Sequence, residues 1–126
     1  MPMTRISLLE SKSSEYHRTL MEQIYLAMRE TIETPEGDRF ATITQHAPGD
    51  MNNSGKYDGI ERSDDPVFIQ ITINAGRSVK KKQALYTAIA KRLEADPGRR
   101  PEDVVVSLIE VAAEDWSLGN GVAQYV

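Results

Sequence analysis

The sequence predicts an α/β (α+β) domain in which two βαβ units stand in tandem. The units share one four-stranded, mostly parallel or mixed sheet with both helices on one face. The main observation is an internal repeat: each half contains a strand, a serine, an amphipathic helix, a proline–glutamate turn and a second strand. The second observation is spacing, because Ser13 precedes Pro35 by nearly the same distance as Ser78 precedes Pro101. Each unit should hold two parallel strands joined by a right-handed crossover.

Length and composition indicate one globular domain over residues 1–126, with pseudo-repeats of about 2–60 and about 61–126. The chain has no cysteine, which excludes disulfides, thiolate metal sites and cysteine nucleophiles. Its apolar runs are too short to cross a bilayer, and no signal-peptide pattern opens it. The net charge of −4 disfavours nucleic acid as a partner. We therefore expect a cytoplasmic protein that binds neither membranes nor nucleic acid.

The first unit begins with a predicted strand over Met3–Leu9. Ser13 and Ser14 are candidate helix caps, and the helix should end near Glu33. Apolar residues recur along it at three- and four-residue steps, which is typical of an amphipathic helix: Tyr16, Leu20, Ile24, Ala27, Met28 and Ile32. A turn follows, and the second strand is predicted over Phe40–His46.

Residues 47–65 are rich in Pro, Gly, Asn, Asp and Ser, which predicts a long and mobile loop. The second unit then repeats the first. A strand is predicted over Val67–Ile73, and Ser78 is a candidate cap. The next helix carries an apolar stripe of Leu85, Ala88, Ile89 and Leu93 and stops at Pro97-Gly98. The last strand is predicted over Val104–Val111.

With both helices on one face, the other face of the sheet lies open. Strands this apolar should bury that face against another subunit. The tail from Ala112 to Val126 lacks periodicity and should pack as an arm on a neighbour or over a pocket.

The chain opens with Met1-Pro2 directly before the first strand. Removal of Met1, which is usual before a small second residue, would leave Pro2 with a free secondary amine. Such an amine can act as a base, as a cation or as a nucleophile toward carbonyl groups. A purely structural proline at a strand start is the alternative.

Arg77 follows the third strand and immediately precedes the Ser78 cap. A guanidinium beside the amides of a helix start suits a carboxylate ligand. The three lysines that follow, residues 80–82, fit a solvated helix face better than a site.

Asp38 lies in the turn before the second strand, where it is either an ordinary turn residue or a partner of the amine. Trp116 is the only tryptophan and suits either a pocket wall or a packing anchor. The two histidines and the carboxylates show no metal-ligand spacing, so no metal is expected.

Met1-Pro2 before a strand, the duplicated βαβ unit and an arginine after the third strand resemble the tautomerase superfamily. Further motifs are similar to those of malonate semialdehyde decarboxylases and their near relatives: Gly37-Asp38-Arg39-Phe40, Gln45-His46-Ala47-Pro48-Gly49-Asp50-Met51, Ala75-Gly76-Arg77 and Asp115-Trp116-Ser117-Leu118-Gly119. The resemblance covers nearly the whole chain. Two positions depart from it, because Ala75 stands where some relatives carry a second arginine and Leu118 replaces an aromatic residue.

The resemblance implies a homotrimer with the tautomerase fold and no metal or organic cofactor. It implies that Pro2 is the catalytic amine, Asp38 its polar partner and Arg77 the carboxylate binder. Trp116 and Leu118 would form the apolar wall around a small substrate bearing a carboxylate and a carbonyl.

Three functions stay open at this point. The first is decarboxylation of a short β-keto acid such as malonate semialdehyde by a cationic Pro2, with hydratase side activity. The second is keto–enol tautomerisation of a 2-oxo acid with neutral Pro2 as base. The third is a non-catalytic trimeric binding protein.

Overall fold

The computed structural model describes residues 1–126 and confirms the tandem βαβ arrangement. In chain order the elements are β1 (Met3–Leu9), α1 (Ser14–Ile32), β2 (Ala41–His46), β3 (Lys56–Tyr57), β4 (Ile60–Glu61), β5 (Val67–Asn74), α2 (Val79–Ala95) and β6 (Val104–Val111). The four long strands and both helices lie where the sequence predicts them, to within one or two residues.

The main sheet has the strand order β2-β1-β5-β6. Within each unit the strands are parallel, β1 with β2 and β5 with β6, and the two units meet through antiparallel pairing of β1 with β5. Thr4 pairs with Ala41 and Ile69 pairs with Val106, so the partner strands are offset by the same number of residues in both units. The repeat seen in the sequence is therefore a repeat of hydrogen-bond register as well.

Both helices begin at the serine that the sequence indicates. Ser13 Oγ accepts a hydrogen bond from the Tyr16 N–H at 3.0 Å, and Ser78 Oγ accepts one from the Lys81 N–H at 3.2 Å. Each bond satisfies an amide that would otherwise lack a partner at the helix start. α1 ends at Ile32 because Glu33 adopts the left-handed conformation, with φ of 61°.

The core lies between the sheet and the two helices. It contains 14 buried residues that come from the alternating positions of β1 and β5 and from the apolar stripes of α1 and α2. Central members such as Ile71 and Leu85 are 0% exposed. Burying one such side chain stabilises the fold by about 1.5–3 kcal/mol, so the alternation in β1 and β5 fixes which face of each strand meets the helices.

The open face of the sheet is less apolar than we expected from the strand composition. Arg5 pairs with Gln70 at the centre of this face, and Ser7 pairs with Phe68. Because the strictly apolar positions of β1 and β5 all point toward the helices, polar and apolar side chains alternate on the other side. The open face is therefore a mixture of polar and apolar side chains.

Residues 47–65 contain more structure than the plain loop that their composition predicts. A short 3₁₀ helix spans Pro48–Asp50, and β3 and β4 form a small antiparallel hairpin. The segment is tied to the start of β6 by the buried Asp103, which accepts hydrogen bonds from the Ser63 N–H at 2.7 Å and the Ser63 hydroxyl at 2.6 Å. Arg99, also buried, donates to Asp65 Oδ2 at 3.0 Å.

The tail beyond β6 has one 3₁₀ turn, Ala113–Asp115, and no further helix or strand. It folds back on itself through Gln124, which accepts from the Leu118 N–H and donates to the Gly119 carbonyl. Neither helix is both long and apolar enough to cross a membrane.

Candidate active site

The residues that the sequence singles out lie at one edge of the sheet, the edge that is formed by the ends of the strands. β1 and β2 begin there and β5 and β6 end there, because Met3 pairs with Thr72 and the Ala75 N–H donates to the Val111 carbonyl at 2.8 Å. Residues 2, 38, 77 and 116 directly flank those strand ends. The topology therefore explains why residues far apart in sequence share one end of the domain.

The chain start is held against Asp38. Pro2 is buried, and the α-amino nitrogen, which in the structure belongs to Met1, lies 3.8 Å from Asp38 Oδ2. Asp38 Oδ1 is buried and has no hydrogen-bond partner. The structure thus brings together the chain start and the acid that the resemblance pairs with it.

Asp38 is placed by a tight turn between α1 and β2. Its N–H donates to the Pro35 carbonyl at 3.2 Å, and the preceding Gly37 has φ of 84°, a conformation that glycine adopts without strain. The Gly37 N–H donates to the hydroxyl of Tyr25 at 2.9 Å. Tyr25, in the second half of α1, was not predicted to take part in the site.

Arg77 is half buried at the end of β5 and forms no salt bridge, whereas Arg39, Arg92 and Arg99 each pair with a carboxylate. Its guanidinium donates to two backbone carbonyls, that of Asn74 at 3.0 Å and that of Ile32 at 3.4 Å. These contacts fix the side chain between β5 and the end of α1 without neutralising its charge. Arg77 is therefore available to bind an anion.

The neighbouring lysines engage the carboxylates closest to Arg77. Lys82 forms an ion pair with Glu110 and Lys81 forms one with Glu33. Hydrogen bonds from these lysines hold the pKa of both glutamates below the ordinary range, and the charge of Arg77 adds a smaller effect in the same direction. Two of the three lysines expected on a solvated face thus hold acids that would otherwise compete for Arg77.

Trp116 and Leu118 line a cavity of about 340 Å³ at this edge, and six of its nine lining residues are hydrophobic. Trp116 is 8% exposed and Leu118 is 40% exposed, so the first is a fixed wall and the second stands at the mouth. The remaining wall includes Met1, Met3 and Phe40. A cavity of this size and composition suits a small organic molecule.

Asn74 connects the cavity wall to Arg77, a role that no sequence motif indicates. Its side-chain oxygen accepts a hydrogen bond from Trp116 Nε1 at 2.5 Å, while its backbone carbonyl accepts from Arg77. Its position could have indicated a site residue, because Asn74 is the last residue of β5 and parallel or mixed sheets place polar site residues at strand ends.

The structure shows no group of three or more His, Asp or Glu side chains that could hold a metal ion. The candidate site consists of an amine, an acid, an unpaired arginine and an apolar wall. Such a set can bind a small carboxylate and stabilise charge that develops on a neighbouring carbonyl.

Comparison with known proteins identifies the class of enzyme to which this fold of paired βαβ units belongs. Residues 38–119 match the family model described as a tautomerase enzyme. A curated relative, the probable tautomerase YusQ of Bacillus subtilis, is 36% identical over 100% of this chain and 99% of its own length. The chain belongs to the tautomerase family.

Two solved structures are similar to this chain over nearly its whole length. The FG41 malonate semialdehyde decarboxylase inhibited by 3-bromopropiolate has a TM-score of 0.91 and 35% identity, covering 98% of this chain and 93% of its own. A second malonate semialdehyde decarboxylase, described with decarboxylase and hydratase activities, has a TM-score of 0.91 and 30% identity, covering 98% and 95%. The resemblance drawn from the sequence motifs is confirmed.

The Asn74–Trp116 contact gives a testable consequence for the cavity wall. We expect Asn74→Ala to shift the fluorescence emission of Trp116 to longer wavelength, because the indole loses its acceptor and gains access to water. The protein should also lose about 1 kcal/mol of stability. Trp116 is the only tryptophan, so the spectrum reports on this site alone. Asn53→Ala, at the opposite edge, serves as control, and an unchanged spectrum in Asn74→Ala would show that the bond does not hold the indole.

Proposed function

We propose that this chain, once Met1 is removed, is a cofactor-free decarboxylase of a short β-keto acid such as malonate semialdehyde. The observation that carries the proposal is the chain start: Pro2 is buried, and the α-amino nitrogen of the preceding Met1 lies 3.8 Å from Asp38 Oδ2, at the same sheet edge as Arg77, which has no carboxylate partner. The similarity to two malonate semialdehyde decarboxylases supports the choice of substrate.

In the proposed reaction, Arg77 binds the carboxylate of the substrate and turns it out of the plane of the carbonyl. Protonated Pro2 polarises that carbonyl. Alternatively, the neutral form of Pro2 attacks the carbonyl carbon and forms an iminium with loss of water. The bond between the carboxylate carbon and its neighbour then breaks, and its electron pair flows toward the carbonyl. Carbon dioxide leaves. The enol takes up a proton to give acetaldehyde, whereas the enamine takes up a proton to give an iminium, which water hydrolyses to acetaldehyde and free Pro2.

The main source of rate in this scheme is a cation held in place before the reaction begins. A fixed positive charge in an apolar cavity stabilises developing negative charge without waiting for solvent to reorganise. Asp38 favours the protonated amine and holds its geometry. Asp38 also suits activation of water, so the same groups support hydration of an unsaturated acid as a side activity.

Met1 must be absent for this chemistry, because Pro2 then has a secondary amine instead of an amide. Met1 itself lines the cavity, and its side chain is only 5% exposed. Its removal therefore frees both the amine and part of the space for a substrate.

Keto–enol tautomerisation of a 2-oxo acid is the second candidate, and the relation to a probable tautomerase favours it. It uses the same residues with the opposite protonation state, because Pro2 must be neutral to remove a proton next to the carbonyl. The difference between the two functions is therefore a property of one nitrogen atom.

We also infer that the protein is a homotrimer, as the family resemblance implies. The open sheet face carries exposed apolar side chains, among them Met3 and Ile109, together with the half-buried Phe68. The site at the sheet edge opens onto the same face through Met3 and Thr72. Burial of that face against a second copy would close the cavity further and reduce its access to water.

The first prediction for this function is that Met1-free protein converts malonate semialdehyde to acetaldehyde, a conversion that proton NMR can follow. We expect Pro2→Ala and Arg77→Ala each to lower kcat/KM by about 10²-fold or more, because each removes a charge or donor used in the transition state. Arg29→Ala, which removes an exposed arginine from α1, is the matched control and should keep full activity.

A protein carrying an N-terminal extension provides a second control, since its Pro2 nitrogen is an amide, and it should be inactive. If protein whose loss of Met1 is verified by intact mass does not convert malonate semialdehyde, this substrate assignment is wrong. The enol forms of 2-oxo acids would then be assayed with the same variants.

The second prediction concerns the protonation of Pro2. Nitrogen-15 NMR of Met1-free protein should give a Pro2 pKa well above 7, because Asp38 supplies an adjacent negative charge. Asp38→Asn should lower that pKa. A value well below 7 in the unchanged protein would favour the tautomerase and contradict the cationic mechanism.

The third prediction concerns assembly. Sedimentation equilibrium should give three times the 14.1 kDa of one chain. Ile109→Glu, which places a charge on the open face at the edge strand, should shift the mass toward that of the monomer. Val79→Glu on α2, whose native side chain is 71% exposed, is the control and should leave the mass unchanged.

A further inference from the structure

Tyr25 contacts the turn that carries Asp38 on both sides of that residue. On one side, its hydroxyl accepts the Gly37 N–H at 2.9 Å. On the other, the guanidinium carbon of Arg39 lies 3.9 Å from the centre of the Tyr25 ring. A single buried side chain, 4% exposed, therefore holds the residue before and the residue after the acid.

Arg39 is itself held over the ring by a second contact to α1. It donates to Glu22, which lies one helical turn before Tyr25, through both terminal nitrogens. The hydrogen bond to Glu22 is the main reason that the pKa of Arg39 lies above its ordinary value. The cation–π contact stacks planar guanidinium on the aromatic face, which lysine cannot reproduce.

The acid between these two contacts makes few bonds of its own. Asp38 Oδ1 is buried without a partner, and Oδ2 lies 3.8 Å from the α-amino nitrogen of Met1, the residue before Pro2, which is an ion-pair contact and not a hydrogen bond. Its side chain is thus not locked by neighbours in its own right. The position of the carboxylate depends on the backbone of residues 37–39, and that backbone is fixed from outside by α1.

We propose that Tyr25 is a positioning residue, which sets the distance between the Asp38 carboxylate and the amine of Pro2. The inference rests on the proposed function, in that Pro2 is taken as the reactive amine, and it adds a residue from the helix layer to the site. Tyr25 touches neither the amine nor the cavity. It acts only through the turn.

The test is Tyr25→Phe in Met1-free protein, which keeps the ring, its packing and the stack with Arg39 but removes the acceptor of the Gly37 N–H. Loosening of the turn moves the carboxylate from the amine, so the Pro2 pKa measured by nitrogen-15 NMR should fall. We expect kcat to drop about 10-fold, since small displacements of reacting groups cost rate, while KM stays unchanged. Tyr57→Phe, on the hairpin and 68% exposed, is the matched control.

A merely structural role gives a different pattern. The thermal midpoint of Tyr25→Phe would then fall because of the unsatisfied Gly37 amide, while the Pro2 pKa of the folded protein stayed that of the unchanged chain. That result would overturn the proposal. Since the titration needs no substrate, it remains decisive even if malonate semialdehyde is not converted, which separates this inference from the proposed function.

Arg39→Lys gives a second, independent route if Tyr25→Phe does not fold. Lysine keeps the positive charge, so the local potential at Pro2 changes little, but it loses the planar stack on Tyr25. We expect a smaller decrease of the Pro2 pKa in the same direction. An unchanged value in this variant counts against the proposal in the same way.

Discussion

The antiparallel pairing of β1 with β5 is the constraint on which the rest of the site depends. Because Met3 lies opposite Thr72, the first residues of the chain come to rest beside the end of the third long strand. Asn74 is the last residue of that strand, and Arg77 comes three residues after it. A parallel pairing of these strands would send Arg77 to the far edge of the domain, and the chain amine would have no cation nearby.

The helix layer fixes the other half of the site. α1 buries six residues against the sheet, among them Ile24, Tyr25 and Met28 on adjacent turns. Packing that holds Ile24 and Met28 in the core therefore also holds Tyr25 at the turn before β2. Close packing of α1 in the core thereby holds the turn before β2 in place, and with it the carboxylate of Asp38.

Most of the fold could be predicted from sequence because its signals are local. Capping serines, alternation in the strands and helical periodicity each act within a few residues, and the repeat ties them into one topology. The contacts that escaped prediction are long-range. Tyr25 meets Gly37, Asn74 meets Trp116 and Asp103 meets Ser63, and no local pattern marks such pairs.

The duplicated unit has a consequence for stoichiometry. In the first unit Lys12 directly precedes the cap Ser13, as Arg77 directly precedes the cap Ser78 in the second. Asp38 lies as far beyond Ser13 as Asp103 lies beyond Ser78. The opposite edge therefore carries charges of the same sign in corresponding places. There, however, Pro66 is joined to Asp65 by a peptide bond, and Asp103 is occupied by Ser63. Joining two units in one polypeptide thus leaves one terminal amine for two sets of corresponding side chains. The second acid, Asp103, anchors a loop instead, so under the proposed function each chain carries one site and not two.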